Sequence, residues 1–159
     1  MLIKSLTGLA LAASLAMGAP LGAHAAGDHS HAGAPAAKLE VKLNQGRKWA
    51  SDDALRAGMS RIRQDMAASL PKIHKGAFRR ADFDALAGKV QAQVDHITAN
   101  CKLPEDADLV LHGILEQILD GIGTMKGTER RSAGAVKVVE SLDVYGKTFD
   151  HPGWKPLAH

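Results

Sequence analysis

Across residues 51–149 the apolar residues recur every third or fourth position, in four runs separated by Pro, Gly or polar turns. That period keeps one face of an α-helix buried; a strand would need a repeat of two. The first run is Leu55, Met59, Ile62, Met66, Leu70 and the second Phe83, Leu86, Val90, Val94, Ile97, Cys101. The third is Leu111, Ile114, Leu115, Ile118, Ile122, Met125 and the fourth Ala135, Val138, Leu142, Tyr145, Phe149. Ser51 is a favoured N-cap for the first helix, with Asp52 and Asp53 at the positive end of its dipole; Pro71 and Gly76 mark its end. The second stops before Pro104. Pro104 opens the third, Thr128 caps the fourth, and His151-Pro152-Gly153 closes it. No strand pair and no βαβ unit is expected. Four amphipathic helices of ~20 residues, each ~30 Å long, with short connections predict an all-α fold, an antiparallel up-down-up-down four-helix bundle.

The front of the chain reads as an address. Lys4 is the only charge in residues 1–25; an apolar run of about 11 residues follows, then Gly18, Pro20 and the small residues of Ala23-His24-Ala25. This is the order of a cleavable secretory signal, and the run is short of the ~20 residues a membrane-spanning helix needs. A periplasmic location follows, with no membrane attachment after cleavage. Residues 26–50 read as a Gly/Ala/Pro-rich linker and a short extended segment, 51–150 as the bundle and 151–159 as a C-terminal tail.

Charge and composition exclude several functions. Lys plus Arg is 20 and Asp plus Glu 17, too small an excess for the basic stripe of a nucleic-acid binder. One cysteine excludes an internal disulfide, a CxxC centre and covalent haem through CxxCH. Cys101 leaves open a disulfide-linked dimer. No GxSxG, HExxH or P-loop is present, and a non-enzymatic protein is expected.

The bundle topology brings the start of the first helix, the second turn and the end of the fourth helix to one end. Trp49 and Trp154 flank the domain there. Counted from that end, Met59, His112, His96, Tyr145 and Gly146 fall ~6–12 Å deep. Bundles build haem and metal sites from facing side chains in this way. Met59, His112 and His96 are the candidate donors. Tyr145, Gly146, Trp49 and Trp154 are the candidate walls of a cofactor site, Gly146 leaving room for a close neighbour or a flat ligand. His29 and His31, in Asp28-His29-Ser30-His31, form a separate candidate metal motif.

The tract Leu55-Arg56-Ala57-Gly58-Met59-Ser60-Arg61-Ile62 resembles the first helix of periplasmic cytochrome b562-type bundles, and Val144-Tyr145-Gly146-Lys147 resembles their last helix. The resemblance implies Met59 as an axial haem ligand. Gly146 stands where that family has its histidine, and the CxxCH of the related cytochromes c′ is absent. Gly46-Arg47-Lys48-Trp49, Asn100-Cys101-Lys102-Leu103 and Phe149-Asp150-His151-Pro152-Gly153-Trp154 look like tracts of small exported proteins labelled DnrO, which implies a denitrification or nitrosative-stress setting. The expectation is an exported bundle binding a transition metal or haem-type ligand at the Trp49/Trp154 end. The alternative is a periplasmic protein-interaction module without a cofactor.

Overall fold

The computed structural model describes residues 42–158, all within the second of the two compact units, 1–36 and 37–159, into which the chain divides. The expected signal segment, the linker up to residue 41, and His29 and His31 lie outside the described residues. The order is β1 (Trp49–Ala50), α1 (Asp53–His74), α2 (Arg80–Asn100), α3 (Glu105–Lys126), α4 (Arg131–Thr148) and β2 (Phe149–Asp150). The four helices form a bundle in which α1 packs on α2 and α4, α2 on α3, and α3 on α4.

The helix limits follow from local chemistry, and three differ from the sequence reading. Asp52, not Ser51, caps α1, its carboxylate accepting the Leu55 N–H at 2.7 Å. The Ser51 hydroxyl instead donates to the Asp150 carbonyl. Pro71 does not stop α1, which runs on to His74. A proline in the last turn forfeits one N–H bond, and only one more turn has to tolerate it. Thr128 does not cap α4; the chain turns through Arg130 in the left-handed region (φ 52°), and α4 starts at Arg131.

The apolar stripes meet in one core. Leu55, Met59, Ile62, Met66, Val90, Ile97, Ile114, Ile118, Met125, Val138 and Tyr145 are wholly inaccessible. Leu103, Val110 and Cys101 pack partly buried against its margin. Helices α3 and α4 approach backbone to backbone: a Cβ on Gly121 would lie 2.8 Å from the Gly134 carbonyl oxygen. One on Gly134 would lie 2.6 Å from the Met125 nitrogen.

A parallel strand pair was not expected, yet Trp49 pairs with Phe149 and Ala50 with Asp150. Two-residue strands leave no periodic signal, so the pattern could not show them. The pairing ties the entrance of α1 to the exit of α4. The second Asp52 oxygen accepts the Lys102 N–H at 2.6 Å, which ties the same entrance to the α2–α3 connection. The entrance, that connection and the exit thus share one end of the bundle.

The contrast between glycines makes this packing testable. Gly134→Ala forces overpacking against Gly121 and Met125 and should cost about 1–3 kcal/mol. Gly88→Ala, in α2 with open space where the Cβ would sit, should instead stabilise by up to about 1 kcal/mol. Urea unfolding of both variants beside the parent reads the two signs.

Candidate ligand site at the closed end

The segment after α4 is not a free tail. Gly153, at φ +78°, turns it back, and the Trp154 N–H donates to the His151 carbonyl at 3.0 Å. Leu157 is buried, and the Arg63 guanidinium donates to the Lys155 carbonyl. Trp154 lies over Gly146, where any Cβ would fall inside the contact shell of its indole Nε1 and Cδ1. The room left by Gly146 is therefore filled by the chain's own indole. Trp154 Nε1 is buried and has no hydrogen-bond partner among the described residues.

An aromatic cluster forms beneath it. Tyr145 stacks on Phe149 (centroids 5.5 Å, planes 20° apart) and meets Trp154 edge-on at 4.8 Å. The His151 ring lies 5.0 Å from the Trp154 ring. Its Nδ1 is 2.8 Å from the Tyr145 hydroxyl and its Nε2 3.3 Å from the Ser60 hydroxyl. Burial, helped by the Arg56 guanidinium, lowers the His151 pKa below its usual 6.5, with Asp150 acting the other way. Burial raises the Tyr145 phenol well above its ordinary range. An imidazole held between two hydroxyls and made less basic is a structural link and a weak general base.

Two open depressions flank the Trp154 ridge. One, of about 130 Å³, is lined by Ser60, Arg63, Gln64 and Lys155 with the ridge residues His151, Gly153 and Trp154. The other, of about 380 Å³, adds Lys48, Asp143, Lys147 and Pro156 on the far side. The two linings together carry four cations and one carboxylate.

Trp49 and Trp154 both belong to it, Trp49 by pairing with Phe149 and Trp154 by contact with Tyr145. Trp49 is nearly enclosed, and its indole N–H donates to the Lys42 carbonyl at 2.7 Å. Tyr145 and Gly146 lie here too. The donors do not converge with them. Met59 is wholly buried in the core. His112 is exposed and bonded to Asp108 one turn back on its own helix, Nδ1 to carbonyl 2.9 Å. His96 is exposed beside Asn100. No group of three or more His, Cys, Asp or Glu suited to a metal occurs among the described residues. The residues present do not fit the haem that the resemblance implies, because Met59 is sealed in the core, Gly146 offers no donor and Trp154 occupies the space above it.

Sequence reasoning missed His151 and Ser60. The helix pattern ends before His151, so nothing in the period placed its ring against Tyr145. The dense run His151-Pro152-Gly153-Trp154, a turn signal between two rings, was the only hint.

Cys101 sits beside Asp52. Burial first, then the negative Asp52 and a hydrogen bond to its carboxylate, push the thiol up to about 12. Burial opposes the Asp52 charge, but the Leu55 and Lys102 N–H groups outweigh it and hold the carboxyl below its usual 3.8. A thiol so held is a poor partner for disulfide formation at neutral pH, because the thiolate is the reacting form.

Two measurements follow. Disulfide exchange of Cys101 with an aromatic disulfide at pH 8 should run at least about a hundredfold slower than with a free cysteine, and Asp52→Asn should speed it markedly. The folded-state pKa of His151 lies below the unfolded value, so the stability its neutral form carries is complete above pH 6.5. That stability declines as pH falls through the lower folded value. Thermal midpoints between pH 7.5 and 5 should therefore fall more steeply in the parent than in His151→Gln.

Compared with protein-family models, with curated proteins and with solved structures, the chain matches none.

Proposed function

We propose that this protein is an exported, periplasmic, non-enzymatic bundle that binds a compact polyanion, of the di- or tricarboxylate or phosphate class, at the Trp49/Trp154 end. The carrying observation is the charge of the two depressions beside Trp154: Lys48, Lys147, Arg63 and Lys155 against Asp143 alone. Ser60 and Gln64 add neutral hydrogen-bonding groups to the smaller one. Volumes of about 130 and 380 Å³ suit a compact ligand. The order of charged, apolar and small residues in 1–25 supports export. No helix among the described residues is long and apolar enough to cross a membrane.

The same contacts support an antiparallel up-down-up-down order for the helices. Asp52 at the entrance of α1 reaches Lys102 just past α2, and β1 before α1 pairs with β2 after α4. Each contact joins the beginning of one helix to the end of another.

A protein-docking role is the weaker reading. Among the described residues the large exposed apolar side chains are Leu43, Leu109, Leu119 and Val136. Leu109 and Leu119 are about 15 Å apart along α3, and scattered single residues of this kind are ordinary surface.

Trp154 lines both depressions and Trp49 lies at the same end of the bundle, so intrinsic emission reports on the site. Titration with citrate or inorganic phosphate at low salt should change the emission saturably, and the change should weaken as salt rises. Lys147→Glu with Lys155→Glu should abolish it. Emission indifferent to every anion, or a response that survives both charge reversals, removes the proposal. An absorption spectrum and metal analysis of the same preparation test the haem and metal alternative directly.

A further inference from the structure

His151 lines both depressions beside Trp154, and it is the one side chain in either lining whose ordinary pKa lies near neutrality. The hydrogen bonds around its ring fix where the ring proton sits. The Ser51 hydroxyl has a single hydrogen, and it goes to the Asp150 carbonyl. Ser51 Oγ can therefore only accept, from Arg56 Nη1 at 3.2 Å and from the Tyr145 hydroxyl. With its own hydrogen spent on Ser51, Tyr145 accepts from His151 Nδ1–H at 2.8 Å. That leaves Nε2 as the acceptor of the neutral ring, and the Ser60 hydroxyl 3.3 Å away donates to it. Ser60 lines the smaller depression, so its one hydrogen is turned away from any ligand there.

The charges around the ring oppose a second proton in the free protein. Burial and Arg56 of α1 hold His151 neutral at neutral pH, with Asp150 of β2 acting the other way. The depressions add Arg63 of α1 and Lys155 of the fold-back on one side, and Lys48 ahead of β1 and Lys147 of α4 on the other, against Asp143 of α4. A bound anion reverses this balance, because an opposite charge within about 4–6 Å favours the charged form of an imidazole.

We propose that polyanion binding at this end is coupled to proton uptake by His151, which turns the Ser60 hydroxyl toward the ligand. The inference rests on the polyanion reading above and adds its regulation. The proton comes from solvent and bonds to Nε2. Nε2–H then donates to the Ser60 oxygen, and the Ser60 hydrogen that pointed at the ring is released to the depression. One proton thus supplies a positive charge and a free O–H donor. Linkage fixes the sign: whatever the anion adds to the basicity of His151, the proton adds to the affinity for the anion. Binding tightens as pH falls through the value His151 has in the complex, and the gain is complete below its value in the free protein.

Sulfate is the probe, since it stays a dianion from pH 8 to pH 5 and its own titration does not enter. Proton NMR of the full chain at constant low ionic strength follows the His151 ring, identified by its loss in His151→Gln. Saturating sulfate should move the His151 titration at least about 0.5 pH upward, which corresponds to at least about threefold tighter sulfate at pH 5 than at pH 7.5 by tryptophan emission. The other histidines still titrate in His151→Gln, so a flattened pH dependence in that variant separates His151 from the general rise in charge. Ser60→Ala should lose part of the tightening. Sulfate that binds without moving the His151 titration, or a pH dependence kept in full by His151→Gln or by Ser60→Ala, would overturn the coupling and leave the polyanion reading standing. No response to sulfate, citrate or phosphate at any pH would overturn both.

Discussion

One carboxylate holds the closed end together. Asp52 caps α1 through Leu55, accepts the Lys102 N–H from the α2–α3 connection, and takes the Cys101 thiol. Hydrogen bonds to an ionised acceptor are shorter and stronger than neutral ones, and each of these satisfies a donor that would otherwise be unmet near the core. Its charge survives partial burial because N–H groups point at it from two separate segments. Burial first, and then the same charge, keep the neighbouring thiol protonated. Capping, one of the long-range closures and part of the damping of the cysteine therefore share one side chain.

The strand pair can be brief because it does not act alone. Two residues on each side give few hydrogen bonds, and an isolated pair of that length would not persist in water. Here Ser51 also donates to the Asp150 carbonyl, and Lys48 Nζ to the Gly146 carbonyl at 2.6 Å. All join segments about a hundred residues apart. The closure entropy is met once, mostly by the packing of the helices between, so each later contact at that end adds little further cost. The fold-back of His151, Trp154 and Leu157 draws on the same prior closure.

The apolar period made the helices legible, since every residue of the four stripes except Cys101 is buried. Boundaries were less so. Ser51 and Thr128 are good caps by composition, but each lost to a choice made elsewhere: Ser51 to the Asp150 carbonyl, Thr128 to the left-handed turn at Arg130. Tyr145 and Gly146 do fall in the last turn of α4, nearer its end than the count of ~6–12 Å, and depth alone said nothing of direction. His112 sits one position from the stripe residue Leu111, about 100° round the helix, and that rotation turns it to solvent. Gly146 was read as space, and the space is real; only its occupant, eight positions on, was beyond the reach of a pattern that ends with the helix.

The middle of the bundle leaves little room for chemistry. Met59, Ile62, Met66, Val90, Ile114, Ile118 and Val138 are closed to solvent, and Gly121 and Gly134 bring α3 and α4 into backbone contact. A flat cofactor between the helices would have to part that contact and strip side chains of their dispersion partners, a cost interiors of this density resist. The open depressions among the described residues lie at the two ends, where helix termini, connections and cationic side chains meet. The ends differ because the connections differ. A folded-back aromatic ridge between lysines and arginines marks one, and Phe78 and Phe83 beside the acid-free start of α4 mark the other. In a four-helix frame with a sealed centre, the depressions among the described residues thus lie at the two ends and are shaped by the segments that link the helices.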